Sequence, residues 1–503
     1  MYFFEQSIFT YQNKLEALLF KFTGLNSAAM DWLTYLKSLL KFELIAFITL
    51  YIHARQGVYF KPAEAFQFAA SFVTNTNWQS VPGEVAWSKT LWILGVIFNN
   101  FQSSAIGICV LVVFCRAFMR KSSNGLLGNF WIDLWRTFAY LLIPLALVFS
   151  VLLVSQGVPQ NLHDNIEITQ YSSAIKQTVP RGPFAAHVPI KLLGTNGGSF
   201  TLANGASPIE NPTAFSHFLG LFMMLLLPSF GCFLFGNLIR NKRLGYALWG
   251  TMFVLASIFI VSARYFEASQ MLGKEVLLGT DGLVLWNGIM TATATGSNAG
   301  ILELMQPLSV GSYLFLINLG EIAFGGVGMG LVNLIMVFIV SAFIMNLLTG
   351  CAASFLGKTI PLNAIKLTMF YIIFCPCLIL IGVIFLISDT APYSIASCWY
   401  AISSWVQNNG SSFYFNNFSS VTVNYCSGIL MLLGRFVPIM MVLALAGILA
   451  KAKFVEAKQE AFLVDSLLFC LVSMAVILIV TLLAFLPLWS FSALAGQFLL
   501  HGL

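Results

Sequence analysis

Apolar residues occur along the chain in runs of roughly twenty, and polar residues collect between these runs. A helix of that length spans about 30 Å of hydrocarbon, whereas a membrane barrel would show short segments of alternating hydrophobicity. The pattern therefore predicts an all-α polytopic membrane protein with about nine transmembrane helices. We expect them near residues 33–54, 91–117, 134–155, 216–239, 246–266, 313–347, 366–388, 426–450 and 463–489.

Shorter apolar stretches lie between these runs, and each is followed by a polar strip rich in Asn, Gly, Ser and Thr. At about 10–13 residues they are too short to cross the membrane and too apolar for ordinary loops. Each stretch therefore predicts a re-entrant half-helix. The stretches cover residues 63–73, 183–193, 282–292 and 395–406, and the strips cover residues 74–80, 194–198, 293–298 and 407–411.

The strips recur about every 110 residues, which indicates an internal repeat. We predict four tandem units of helix, pore half-helix and helix in a pseudo-fourfold arrangement, plus one extra C-terminal span. Each unit has an even number of crossings, so the units run parallel and imply an axis along the membrane normal. The predicted divisions are an amphipathic N-terminal segment 1–27, repeats 28–125, 126–243, 244–358 and 359–455, and a C-terminal transmembrane helix 456–503.

Composition and charge add an orientation to this pattern. Hydrophobic residues make up 58% of the 503 residues and charged residues 9%, against about a quarter charged in soluble domains. The formal net charge of +6 is spread along the chain and does not indicate a nucleic-acid partner. Lys and Arg cluster in alternate short loops, which the positive-inside rule places in the cytoplasm, so the half-helices are expected to enter from outside.

The chemistry of the strips favours a monovalent cation. Irregular backbone at membrane depth is tolerated only where it is buried in protein or lines a watery cavity. A half-helix that enters from outside points its partially negative C-terminal end at the membrane centre, and oxygen-lined strips can replace the hydration shell of potassium. The strips contain no Asp or Glu, which disfavours calcium and magnesium. A single such cluster could equally be a turn between helices, but four at matching positions predict a pathway.

Glycine has a specific use in such strips, because aiming successive carbonyls at one axis requires backbone angles that a Cβ atom disfavours. Gly197, Gly296 and Gly410 supply it in three repeats. In the first strip we expect Asn75 to take this place, because asparagine tolerates the left-handed conformation best after glycine.

Two features inside the spans also predict function. The segment from Gly320 to Gly330 interrupts the span 313–347 below the third strip, and we expect a flexible loop that obstructs the pathway; close packing of helices at small residues is the alternative. Arg435 lies in the second helix of the last repeat and needs a partner or a wet cavity. It could repel cations or tether the loop through Glu321, whereas snorkelling to the interface is the alternative. The predicted gate residues are Gly325, Gly326, Gly328 and Gly330.

The sequence contains no recognisable nucleotide site or metal cluster. The residues Leu356-Gly357-Lys358-Thr359 resemble the end of a phosphate-binding loop, but Ala352 stands where that loop requires glycine. The five histidines lack metal-ligand spacing, and we expect them at interfaces or in solvent.

Several of these segments resemble one family of potassium transport proteins. The sequences FVTNTNWQS (72–80), LGTNGG (193–198), ENPT (210–213) and GGVG (325–328) are similar to those of KdpA, the potassium-binding subunit family of the bacterial potassium-transporting ATPase, in the wider superfamily of potassium transporters. The resemblance covers nearly the whole chain from about residue 20. Members of the family usually begin with an additional transmembrane helix, and we find no candidate for it before residue 28.

The resemblance implies a multi-pass protein of the bacterial inner membrane that binds external potassium and no nucleotide. It implies three partners besides lipid: a P-type subunit that hydrolyses ATP, a small accessory subunit and a small hydrophobic peptide. The glycine-rich break would correspond to the gate, and potassium would pass sideways to the pump subunit. The implied filter residues are Asn75, Asn77, Gln79, Thr195, Asn196, Gly197, Thr295, Gly296, Asn409 and Gly410.

Three hypotheses follow from the sequence. The leading one is a non-catalytic, potassium-selective translocation subunit of an ATP-driven pump. The second is an autonomous potassium channel or secondary transporter of the same superfamily, which would support potassium uptake without partners. The third is a membrane scaffold with no ion pathway, for which cation binding would not respond to changes in the strips.

Overall fold

The computed structural model describes residue 16 and residues 28–56, 60–119, 125–169, 176–267, 278–351, 353–387, 395–413, 420–454 and 463–489. Its main elements are helices, as the hydrophobic pattern predicts. In chain order they are α1 (Trp32–Gln56), α2 (Pro62–Val73), α3 (Leu91–Ala117), α4 (Phe130–Ser155), α5 (Phe184–Leu193), α6 (Ala214–Leu238), α7 (Lys242–Phe266), α8 (Gly279–Ala292), α9 (Pro307–Asn318), α10 (Met329–Leu348), α11 (Leu362–Ile387), α12 (Ile395–Val406), α13 (Val421–Lys451) and α14 (Leu467–Trp489).

Eight of the described helices, α3, α4, α6, α7, α10, α11, α13 and α14, are long and apolar enough to cross a membrane. The predicted first span is α1, which has 25 residues but carries Lys37, Lys41 and Glu43. The predicted span 313–347 is divided into α9 and α10, because residues 319–328 form an irregular loop between them. The predicted N-terminal segment 1–27 lies outside the described residues except for Glu16.

The four half-helices are present where the short apolar stretches predict them, as α2, α5, α8 and α12. Helix α2 begins with Pro62 at its first position, and the carboxylate of Glu64 accepts the backbone N–H of Lys61 at 2.8 Å, which satisfies a donor at the helix start. Each half-helix packs against the helix before it and the helix after it in the chain. The unit of helix, half-helix and helix is therefore a packing unit as well as a sequence pattern.

The first and last half-helix units are also neighbours in space. Helix α13 packs extensively against α2, and the ring of Trp78, just after α2, meets that of Trp405 in α12 edge to face at 5.3 Å. A Cβ atom on Gly428 of α13 would lie 2.6 Å from the ring of Phe66, so the absence of a side chain allows this approach. Contact between the ends of the series closes the units into a ring.

Arg116 and Arg136, which belong to a basic cluster that the positive-inside rule places on the cytoplasmic side, are buried in ion pairs. Arg116 of α3 makes two contacts of 2.7 Å with Asp133 of α4, and the hydroxyl of Tyr35 donates to the same carboxylate at 3.1 Å. Arg136 pairs in the same way with Glu16 at 2.9 Å. Because a buried charge must be paired, these contacts fix α1, α3 and α4 relative to one another.

Strands β1 (Ile166–Thr169) and β2 (Lys176–Val179) form an antiparallel hairpin in which Ile166 lies opposite Val179. A second hairpin consists of β3 (Ser354–Phe355) and β4 (Lys358–Thr359). It contains the segment that resembles a phosphate-binding loop. The ammonium group of Lys358 donates to the carbonyls of Ala117 and Leu449 at 2.6 and 2.9 Å, so this lysine caps the ends of α3 and α13.

Candidate ion-binding site

The four strips fold in the same way at the C-terminal ends of the half-helices. In each one, a backbone N–H just beyond the helix donates to a carbonyl in the last turn five residues earlier, which satisfies a carbonyl that the helix leaves free. The pairs are Thr76 to Ser71 (3.1 Å), Asn196 to Lys191 (3.0 Å), Thr295 to Met290 (2.8 Å) and Asn409 to Ser404 (2.8 Å). Thr76, Asn196, Thr295 and Asn409 are therefore equivalent positions.

A pair of left-handed residues flanks each of these positions. Their φ angles lie between +48° and +81°, a conformation that glycine adopts freely and that asparagine tolerates better than most residues. The pairs are Asn75 and Asn77, Thr195 and Gly197, Ala294 and Gly296, and Asn408 and Gly410. The counterpart of the three glycines is therefore Asn77. The expectation that Asn75 takes that place is wrong, because the position four residues beyond the half-helix is Asn77 in the first strip and glycine in the other three.

Glycine is needed for a second reason, which is the close approach of the next strip. A Cβ atom on Gly197 would lie 1.7 Å from the carbonyl oxygen of Thr295, and one on Gly410 would lie 1.9 Å from that of Thr76. On Gly296 it would lie 2.7 Å from the carbonyl oxygen of Asn409. These contacts join the second strip to the third, the third to the fourth and the fourth to the first.

Amide side chains join the first strip to its neighbours. The Asn75 side chain donates to the carbonyl of Thr195 at 3.1 Å and accepts from the Asn196 amide at 3.3 Å, so the first and second strips are in contact. On the other side, the Asn408 amide donates to the hydroxyl of Thr76 at 2.8 Å. All four junctions are thus made, and the strips form a closed, buried ring.

Gln79 lies further along the first strip and braces it against the second. Its amide donates to the carbonyl of Ser199 and accepts the backbone N–H of the same residue, both at 3.0 Å. Both ends of this predicted filter side chain are therefore hydrogen-bonded to backbone. The geometry fixes the distance between the two strips.

His187 is fully buried, so the expectation that all the histidines lie in solvent or at interfaces is wrong. The indole N–H of Trp92 donates to its Nδ1 at 3.0 Å. Nε2 lies 3.0 Å from the amide of Asn100, which in turn contacts the amide of Asn77. A polar chain thus connects α3 and α5 to the first strip.

The glycine-rich loop lies against the second and third strips. The backbone N–H of Val327 donates to the hydroxyl of Thr195 at 2.9 Å, and that of Gly325 donates to the carbonyl of Ala292 at 2.7 Å. A Cβ atom on Gly328 would lie 2.1 Å from the carbonyl oxygen of Gly107 in α3. The loop is therefore packed tightly between the ring and α3.

A cavity of about 290 Å³ adjoins the ring and this loop. Its polar lining includes Glu321, Asn333, Gln407, Asn408 and Arg435. Arg435 is 5% exposed, and its guanidinium lies 3.4 Å from the carbonyl oxygen of Ser103. The two predicted intramembrane charges, Glu321 and Arg435, therefore line one cavity, which Gly320 at the start of the glycine-rich segment also lines. Arg435 is buried, so it does not snorkel to an interface.

This arrangement offers oxygen atoms and negative potential to a cation. The C-terminal ends of four half-helices converge on the ring, and each contributes a partial negative charge. The site residues predicted in all four strips are brought together, with Gln79 at one side. Sequence reasoning omitted Thr76, whose carbonyl packs on Gly410, and the left-handed residues Ala294 and Asn408. Correct alignment of the four strips on their helix ends would have identified all three.

A family model described as the potassium-transporting ATPase A subunit, KdpA, matches residues 2–498. The chain belongs to the KdpA family. The potassium-transporting ATPase potassium-binding subunit of Clostridium perfringens is 36% identical to it, over 94% of this chain and 90% of that protein. The protein of the same description from Pseudomonas aeruginosa is 34% identical, over 96% of this chain and 91% of that protein.

A solved structure with a similar fold is the potassium transporter TrkH from Vibrio parahaemolyticus. Its TM-score is 0.55 at 13% sequence identity, and the match covers 77% of this chain and 78% of that one. At this identity the similarity concerns the fold alone. The fold of this KdpA family member is thus one that a potassium transporter also uses.

Proposed function

We propose that the chain is the potassium-binding and translocating subunit of an ATP-driven uptake pump of the bacterial inner membrane. In this proposal the ring of strips selects potassium from outside, and a separate subunit hydrolyses ATP. The observation that carries it is the set of three junctions at which a glycine of one strip packs on a carbonyl of the next. Such packing holds backbone carbonyls at fixed spacing, as a carbonyl-lined filter for a dehydrated cation requires.

The chemistry of the ring supports a monovalent ion as cargo. The strips supply amide, hydroxyl and carbonyl oxygens without a carboxylate, which suits potassium better than a strongly hydrated divalent cation. The nearby cavity would give an ion space beyond the ring, with polar groups from Glu321, Gln407 and Asn408 in a mainly apolar lining. The loop containing Gly325, Gly326, Gly328 and Gly330 would control access to it. The positive charge of Arg435 in the cavity lining would discourage a cation from remaining there.

The proposal is tested on the chain co-expressed with the ATP-hydrolysing subunit and small accessory subunits of its own pump. We expect the purified complex of these subunits in detergent micelles to hydrolyse ATP in response to potassium. The isolated chain should bind potassium without binding ATP. ATP hydrolysis by the isolated chain would contradict the proposal. Growth rescue of a potassium-uptake mutant by this chain alone would instead favour an autonomous transporter.

A further inference from the structure

A buried polar cluster lies on one side of the ring, in the second repeat. It consists of Lys191 in α5 and of Asn204 and Glu210 in the segment between the second strip and α6, and we refer to these three residues as the bracket. Lys191 is 1% exposed and Glu210 is 3% exposed. An ion pair this deeply buried needs further hydrogen bonds to offset the loss of water.

Those hydrogen bonds are present on both charges. One carboxylate oxygen of Glu210 accepts the hydroxyls of Ser199 and Thr201, the latter at 2.6 Å, and the other accepts the ammonium group of Lys191. The Lys191 ammonium also donates to the side-chain oxygen of Asn204 at 2.6 Å. The ion pair therefore fixes the position of the Asn204 amide.

Asn204 connects the bracket to two strips of the ring. Its amide N–H donates to the carbonyl of Gly197 in the second strip at 2.7 Å, and its oxygen accepts the hydroxyl of Ser297 in the third strip at 2.6 Å. In the third strip, the equivalent carbonyl of Gly296 accepts a backbone N–H, that of Asn298, at 3.2 Å. The second strip thus has a side-chain clamp on the carbonyl of its glycine.

We propose that Asn204 determines ion selectivity by holding the Gly197 carbonyl in place, and that Lys191 and Glu210 position its amide. The inference rests on the proposed function of the ring as a potassium filter. A clamped carbonyl cannot move inward to follow an ion smaller than potassium, so the clamp disfavours sodium. The ion pair itself does not contact the ion, and both of its residues act through Asn204.

Two substitutions remove the clamp in different ways. Asn204→Gly deletes the amide, and glycine retains the φ angle of +47° that this position adopts. Asn204→Asp keeps an acceptor for Lys191 and Ser297 but removes the donor to Gly197. A suitable control is Asn211→Asp, because Asn211 lies in the same segment and its amide donates to a carbonyl outside the ring, that of Gly205, at 3.1 Å.

The measurement is the sodium concentration that halves potassium-stimulated ATP hydrolysis by the complete pump complex. We expect both Asn204 variants to lower it about fivefold, the effect of one hydrogen bond, and Asn211→Asp to leave it unchanged. Ser297→Ala removes only the third-strip contact and is expected to lower it about twofold, which keeps the test available if neither Asn204 variant assembles.

The inference would be overturned if the Asn204 variants needed the same sodium concentration as the parent complex for half-inhibition. If Ser297→Ala alone assembles, the same result in that variant would overturn it. An equal effect in Asn211→Asp would also overturn it, because the cause would then be a general change in the segment. Neither result affects the proposed function, provided that the parent complex responds to potassium. If the parent complex does not respond to potassium, the proposed function fails instead.

Discussion

The first and second strips follow the same backbone path with different residues. The first has asparagine at both left-handed positions, Asn75 and Asn77, whereas the second has Thr195 and Gly197. At Gly197 the carbonyl of the next strip leaves no room for a side chain. At Asn77 the side chain has room because the facing residue of the second strip, Gly198, has none. A Cβ atom on Gly198 would lie 2.7 Å from the Asn77 amide.

The difference separates two requirements that glycine can meet. One is the left-handed backbone, which asparagine also tolerates; the other is contact between a carbonyl and an α-carbon, which no residue with a side chain permits. Three junctions impose both requirements. The junction between the first and second strips requires only the left-handed backbone of Asn77. The ring is therefore fourfold in backbone but not in side chains, and substitutions should distinguish its members.

The largest effect is expected for Gly197→Ala. The new methyl group would overlap the Thr295 carbonyl, and alanine in the left-handed conformation adds about 1 kcal/mol of strain. Displacement of the strip should raise the potassium concentration for half-maximal ATP hydrolysis by about tenfold or more, as a loss of 1.4 kcal/mol in ion binding would. This concentration is measured by titrating the ATP hydrolysis of the purified complex with potassium.

The matched control for this substitution is Gly279→Ala. Gly279 has a φ angle of +66°, close to the +67° of Gly197, and nothing lies within 4 Å of a Cβ atom there. The backbone strain is the same but the overlap is absent, so potassium activation should not change. If both variants responded equally to potassium, close contact between strips would not be what the ring requires.

A smaller effect is expected for Gln79→Glu. The carboxylate retains the acceptor for the Ser199 N–H but turns an oxygen toward the Ser199 carbonyl, where the amide donated at 3.0 Å. Loss of this hydrogen bond between strips should weaken potassium activation about fivefold. Gln160→Glu is the control: among the described residues the Gln160 side chain accepts one hydrogen bond, from the N–H of Ala186 at 2.9 Å, and donates none, and the charge change is the same. Equal potassium titrations for the two variants would exclude a bracing role for Gln79.

The sequence predicted those features that depend on local pattern. The half-helix α2 begins within one residue of the predicted 63–73, because an apolar stretch that ends in a polar strip defines both the helix and its end. The same holds for the break between α9 and α10, where clustered glycines interrupt an apolar run. These signals need no knowledge of neighbouring segments.

Features that depend on distant contacts were not predicted. The equivalence of Asn77 with the glycines is not one of these features, because counting four residues beyond the predicted helix ends at 73, 193, 292 and 406 gives it. Lys191 and Glu210, by contrast, become a pair only once α5 and the following segment are folded together. An ionisable residue inside a short apolar stretch, such as Lys191, is nevertheless a signal that a buried partner exists.

The smallest effect is expected for Asn77→Gly, which tests the first strip directly. Glycine keeps the left-handed backbone at the observed φ of +53° and removes only the contact with Asn100. Potassium activation should change by less than about threefold, since only one buried contact is lost. Asn77→Ala removes the same contact and adds about 1 kcal/mol of backbone strain, so it should be more impaired in the same titration. If the glycine variant were as impaired as the alanine variant, the polar chain from Trp92 through His187 to Asn100 would govern the first strip, and the backbone would not.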